Sequence, residues 1–288
     1  MAKSIQDIIN EQNIERDKRL EIERYEKEEL DKKNDYIRKE NNLIRNLYHP
    51  NVSVGGQKTI TTSTLIDIVS NGLFLNLTSF NISSYPGSGN TWFDLSNSGY
   101  DSTINGASYS SLEKSFIFNG TNNSIDCGSI SDIDSSSTEF SVEVWLKTNV
   151  KATKSIIQNG SDYNTNSYYL WLQNSTQIVF EVWGGSSFDA VYLTDGYETN
   201  EWYQLVGTWK SGERVKLYRN GDMSTNAVWF SGSIQNSIVS GDTNTIIGQR
   251  AGSFAFDGNI SIVRLYDRAL TQEEVNQNFE SNRSIFGL

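Results

Sequence analysis

All 22 glycines, both prolines and all seven tryptophans of this 288-residue chain lie after residue 47, whereas the first 47 residues carry 12 acidic and 11 basic side chains. Glycine and proline are the residues that turn a chain, the first by reaching positive φ and the second by fixing φ and lacking an N–H. Their segregation leaves a charged segment with no turns, followed by a remainder that must fold through many short elements.

In the charged segment, acid-first pairs at i and i+4 recur as Glu15 with Arg19, Glu23 with Lys27, Glu28 with Lys32 and Asp35 with Lys39. Such pairs favour a long solvent-facing helix, expected over residues 1–49. Some 44 helical residues would reach roughly 65 Å, too long to lie on one small domain. Leu30, Ile37 and Ile44 fall seven apart and Leu47 completes the last heptad, which is coiled-coil spacing and implies a homodimer or homotrimer. Lys33 and Glu40 occupy the second seam position, so a lone charged helix or a disordered arm stays open as the alternative. Pro50 ends the helix, and residues 50–64 are expected to be a linker.

From residue 65 to 288 the chain alternates short β runs with turn residues. Phe140–Leu146, Gln204–Trp209, Arg214–Tyr218 and Ile260–Tyr266 are rich in β-branched and aromatic side chains and are separated by Gly, Asn, Asp and Ser. Asn220-Gly221 predicts a tight hairpin turn, because both residues tolerate positive φ. Thr271-Gln-Glu-Glu274 is a capping box, with Val275 and Phe279 on one face of a short closing helix. The expected fold is an all-β antiparallel jelly-roll sandwich with that helix at its end.

Composition narrows the function. A formal charge of −11 repels phosphate backbones and anionic lipid, so neither nucleic acid nor membrane is an expected partner. The single cysteine, Cys127, rules out an intrachain disulfide or a multi-thiolate zinc site and suits a small core hydrophobe. The single histidine, His49, stands at the end of the helical pattern, far in sequence from other catalytic candidates. The opening MAKSIQDIIN lacks the apolar run of a secretion signal, and no stretch approaches the roughly 18 apolar residues of a membrane span, so neither secretion nor anchoring is expected.

Five spaced motifs carry a family resemblance: GLFLNLTSFNISSYPGSGNTWFDLSNSG, FIFNGTNNSIDCG, EFSVEVWLKT, EWYQLVGTWKSGERVKLYRNGD and TNTIIGQRAGSFAFDGNISIVRLYDRALTQEEVNQNF. Across residues 71–280 they resemble the laminin-G and pentraxin-like branch of the concanavalin-type lectin and glucanase superfamily. The first motif looks like domains of tailed-bacteriophage structural proteins, although Thr78 stands where such domains commonly carry an Asp.

The resemblance implies three kinds of site. Glu139-Phe-Ser-Val-Glu143 is similar to the Glu-x-Asp-x-Glu strand of β-glucan hydrolases with Ser141 in place of the Asp, so Glu139 and Glu143 are the candidates for catalysis. The plainer expectation sets Glu139 in the turn before the strand and Glu143 in an ion pair with Arg264. Asp94, Asp126 and Asp257 are candidate calcium ligands, against an ordinary role in turns. Trp183, Tyr192 and Trp229 are candidate glycan-stacking faces, against core filling. The leading expectation is a non-enzymatic phage virion protein, made in the host cytoplasm. As a head or tail fibre or decoration it would display the sandwich for adhesion to host-surface glycan. A β-glucan hydrolase and a purely architectural capsid part are the alternatives.

Overall fold

A computed structural model of the protein describes residues 66–288 except 161–166, 175, 224–226, 230–231, 242–243 and 251–253. The expected helix over 1–49, its seam residues Leu30, Ile37, Ile44 and Leu47, and the linker over 50–64 lie outside the described residues.

The described chain is an antiparallel sandwich of two sheets, as the β runs predict. The strands begin with β1 (Leu73–Thr78), β2 (Thr91–Trp92), β3 (Ser102–Asn105), β4 (Ser108–Ser110), β5 (Ser115–Asn119) and β6 (Ser124–Asp126). They continue with β7 (Glu139–Thr148), β8 (Lys154–Asn159), β9 (Tyr168–Gln173), β10 (Gln177–Trp183), β11 (Phe188–Leu193) and β12 (Trp202–Lys210). The last are β13 (Lys216–Arg219), β14 (Asp222–Met223), β15 (Ala227–Trp229), β16 (Thr245–Ile247) and β17 (Asp257–Tyr266), before helix α1 (Gln272–Asn282). The first sheet runs β14-β13-β12-β7-β17-β5-β4, with β1 also paired to β17. The second runs β15-β11-β10-β9-β8-β16-β6-β3-β2.

Period-two alternation decides which side chains meet between the sheets. On β7, Phe140, Val142, Val144 and Leu146 join the inter-sheet core, where they meet Tyr168, Leu170, Ile178, Phe180 and Val182 of the second sheet. Phe140 lies 5.4 Å from the Tyr168 ring, 6.3 Å from Phe180 and 5.6 Å from Trp209. Gly207 on β12 lets the sheets close at this point, because a Cβ there would sit 2.4 Å from the Phe180 ring.

The other face of β7 is also buried, because α1 lies over it. Thr271 caps the helix as expected: its Oγ1 accepts from Glu274 N (3.3 Å), and Glu274 Oε2 accepts from Thr271 N (3.0 Å). Val275 packs with Val69, Val206, Tyr218, Tyr266 and Leu270, and Phe279 stacks on Trp145 at 5.8 Å. The Asn220-Gly221 turn, with φ of 54° and 86°, joins β13 to β14 and accounts for the predicted hairpin.

Beneath α1 is a buried polar network. Glu143 and Arg264 face each other across β7 and β17, with Nη1 of Arg264 3.2 Å from Oε1 of Glu143 and both side chains almost fully excluded from solvent. Glu143 also accepts from Trp145 Nε1 (3.0 Å), Gln204 Nε2 (2.9 Å) and Asn278 Nδ2 (2.7 Å). Arg264 donates through Nε to Asn76 (3.2 Å) and through Nη2 to Asn282 (2.9 Å). Two helix residues, Asn278 and Asn282, are thereby tied to the pair.

Removing one partner of a buried pair leaves an uncompensated charge. Arg264→Met is expected to cost about 3–5 kcal/mol in urea denaturation; a loss within experimental error would show that the pair does not hold the helix. Gly207→Ala forces a methyl group against Phe180 and is expected to cost about 1–3 kcal/mol by the same measurement.

Candidate functional site

The outward face of the second sheet carries the cavity that stands out for its lining. β9 turns Tyr169, Trp171 and Gln173 outward, β10 Val179, Glu181 and Trp183, and β11 Phe188, Ala190 and Tyr192. Register lines these residues up across the strands. Trp171, Val179 and Tyr192 form one row, Tyr169, Glu181 and Ala190 the next, and Trp183 faces Phe188 in a third. The two small side chains, Val179 and Ala190, fall between aromatic neighbours, so the face dips to a trough of about 220 Å³ walled by Trp171, Trp183, Phe188 and Tyr192.

The walls are braced. Tyr169 and Trp171 stack at 5.4 Å with 4° between their planes, and Trp183 lies 4.8 Å from Phe188. The Arg250 guanidinium sits 5.3 Å over the Tyr169 ring, in cation–π range.

Glu181 is the carboxylate at the base of the trough and is only 5% exposed. Its Oε1 accepts from Trp183 Nε1 at 3.2 Å. The Trp171 indole N–H approaches closely enough to favour the charged form but makes no full hydrogen bond. Burial in this apolar setting raises the carboxyl to about 7, despite the opposing pull of Trp183, Arg250 and Trp171.

Of the predicted glycan faces, Trp183 and Tyr192 stand together here. Trp229 does not join them. It pairs with Val191, whose side chain enters the core, while Val228 is the residue beside Tyr192. The Trp229 indole turns toward the first sheet and donates to the Val215 carbonyl (3.0 Å), closing the edge of the sandwich. Trp171, Glu181 and Phe188 were not singled out by sequence. A lone carboxylate in the apolar strand Gln177–Trp183 was the available signal.

Glu139 and Glu143 share a face of β7 but not an environment. Glu139 is the first strand residue rather than part of the preceding turn, and it accepts from Ala269 N (3.1 Å). Glu143 is enclosed by four donors beneath α1, in the ion pair expected with Arg264, and neither of its oxygens is left for a substrate.

The three aspartates each serve a local structure. Asp94 accepts from the backbone of Asn76, Ser96 and Tyr100 and from the Ser96 hydroxyl. Asp126 accepts from Gly128 N and Asn244 Nδ2, and Asp257 from Asn149 Nδ2. Among the described residues, no group of three or more His, Cys, Asp or Glu is placed to hold a metal ion. Cys127 is a buried core thiol pushed up to about 12 by burial. No described helix is long and apolar enough to cross a membrane.

Two facing antiparallel sheets with a terminal helix on one outer face and an aromatic trough on the other define a lectin-type sandwich. Residues 119–276 match the laminin-G model of the concanavalin A-like lectin/glucanases superfamily, and the chain belongs to that family. It is 28% identical over 148 residues to pentraxin-related protein PTX3 of Mus musculus, which covers 47% of this chain and 37% of the relative. The receptor binding domain of botulinum neurotoxin C/D mosaic serotype superposes with a TM-score of 0.51 at 18% identity, over 74% of this chain and 52% of that one. Trypanosoma rangeli sialidase in complex with sialic acid superposes with a TM-score of 0.53 at 17% identity, over 82% of this chain and 36% of that one. At these identities the likeness is one of fold, and the chain spans between about a third and a half of each relative's length.

The raised carboxyl has a consequence for stability. Glutamate ordinarily titrates near 4.5, so between that value and about 7 the folded state keeps a proton that the unfolded state has lost. Stability therefore falls as pH rises through this window and levels off above it. The penalty is on the order of 3 kcal/mol. Glu181→Gln removes it, so the variant is expected to gain on the wild type between pH 5 and pH 8 in urea denaturation. An unchanged difference at the two pH values would contradict the assignment.

Proposed function

We propose that this protein is a non-enzymatic adhesion module that binds carbohydrate in the trough between Trp171, Trp183, Phe188 and Tyr192. The observation that carries this is the pairing of aromatic walls with a polar base in a cavity of about 220 Å³. Sugar rings present apolar C–H faces and hydroxyl edges, so they need flat aromatic surfaces beside a hydrogen-bonding group. The superposed folds support the same direction, since one is a receptor binding domain and another is held in complex with sialic acid.

In this proposal the sandwich is displayed from a tailed-phage virion as a head or tail fibre or decoration. The support is the likeness of the Gly72–Gly99 motif to domains of phage structural proteins and the charged segment ahead of the sandwich. Self-association through Leu30, Ile37, Ile44 and Leu47 would present two or three troughs at once, and weak sites gain avidity when presented together. A particle surface is the proposed location, with host or environmental glycan and other virion proteins as partners.

The full chain is expected to bind members of a broad glycan array. Trp171→Ala removes a wall and Ala190→Trp fills the floor, so each is expected to weaken binding by about tenfold or more. A wild-type chain that bound no glycan, with or without calcium, would overturn adhesion. A strict monomer in light scattering would overturn multivalent display, and release of reducing sugar from β-glucan would overturn the non-enzymatic assignment.

A further inference from the structure

Among the described residues, two carboxylates are almost wholly buried on outward sheet faces, and their surroundings differ. Glu143 accepts from four side chains, whereas Glu181 has a single hydrogen bond, from Trp183 Nε1. Among the described residues, Oε2 of Glu181 accepts none. A buried acceptor left short of donors is costly and asks for a partner. Glu181 lines a cavity of about 220 Å³, room enough for a ring.

The charge around Glu181 limits what that partner is. On the outward face, β10 itself offers no other ionisable group, β9 offers Tyr169, β11 offers Tyr192, and the segment after β16 offers Arg250, the one cation among the described residues that acts on the carboxyl. Arg250 already supplies the positive charge, so a cationic ligand is not required. The Glu181 carboxylate would repel an anionic ligand. A neutral ligand bearing O–H donors meets both conditions.

We propose that Glu181 is the specificity-determining residue of the trough, its carboxylate accepting adjacent hydroxyls of a neutral sugar whose ring lies between the aromatic walls. This inference rests on the carbohydrate reading of the trough and names the ligand class within it. A protonated carboxyl has lost the acceptor capacity that a pair of hydroxyl donors uses, so the sugar binds the ionised form and displaces a proton when it meets the neutral one. Burial holds the free carboxyl at about 7. The coupling therefore appears on the acid side of neutrality: affinity is full above pH 7 and falls as the pH drops below it.

The test uses the full chain with maltotriose, laminaritriose and lactose as neutral probes and N-acetylneuraminic acid and tetramethylammonium as charged ones. Binding is followed by tryptophan fluorescence and calorimetry. At least one neutral saccharide is expected to bind, with affinity falling about tenfold per pH unit from 7 to 5. Calorimetry at pH 6 in buffers of different ionisation enthalpy is expected to show close to one proton released per ligand, a measurement that needs no variant. Glu181→Gln, with its fold checked by near-ultraviolet circular dichroism, is expected to bind more weakly at pH 8 and to lose the pH dependence.

A Gln variant that kept both affinity and slope would overturn the assignment, as would tighter binding on acidification or a preference for either charged probe. If Trp171→Ala abolished saccharide binding while Glu181→Gln did not, the trough would stand and the role of Glu181 would fall. If no saccharide bound, or if Trp171→Ala bound as well as the wild type, the trough and this inference would fall together.

Discussion

The Glu143–Arg264 pair is the interaction on which the arrangement of the sandwich turns. It sits between the two central strands of the first sheet and is shared with Asn278 and Asn282 of the C-terminal helix. A pair this deeply buried is expensive to desolvate, and it persists because the surrounding amides, the Trp145 indole and the helix supply the remaining hydrogen bonds. The helix is therefore docked by polar geometry as well as by Val275 and Phe279. Once it is in place, the first sheet has no open face at its centre. The second sheet keeps the accessible one.

Of the two acids buried on outward sheet faces among the described residues, one serves the fold and the other works against it. Glu143 is satisfied, and its removal from water is offset by what surrounds it. Glu181 lies in an apolar trough with too few donors, and its ionised form lowers stability at neutral pH. Groups placed against the interest of stability tend to mark sites used for something else.

Much of this fold was legible in the sequence, because its signals are local or periodic. The β runs, the positive-φ turn at Asn220-Gly221, the capping box at Thr271 and the match of Glu143 with Arg264 each follow from a few neighbouring residues or from opposite charges on facing strands. The trough was half legible. Tyr168–Gln173 and Gln177–Trp183 carry aromatic side chains on both faces, so alternation alone could not say which of them turn outward; that depends on register with strands far away in sequence. Trp183 and Tyr192 stand in the trough beside Trp171 and Glu181, which the sequence did not single out, whereas Trp229 stands at the sheet edge, bonded to the Val215 carbonyl. A short side chain rich in acceptors suits an aspartate to turns and to hard cations alike, so the sequence alone left both readings open.

Strand β10 belongs to two structures at once. Ile178, Phe180 and Val182 form part of the inter-sheet core, with Phe180 seated against Gly207, while Val179 and Glu181 line the floor of the trough and Trp183 one of its walls. Because the two sets alternate along one backbone, the floor inherits the rigidity of the core, and the proposed ligand would find little left to order. The same alternation separates two kinds of evolutionary change. Odd-numbered positions can drift toward new ligands while even-numbered positions hold the sheets together, so a single seven-residue strand can keep its architecture constant as its recognition changes.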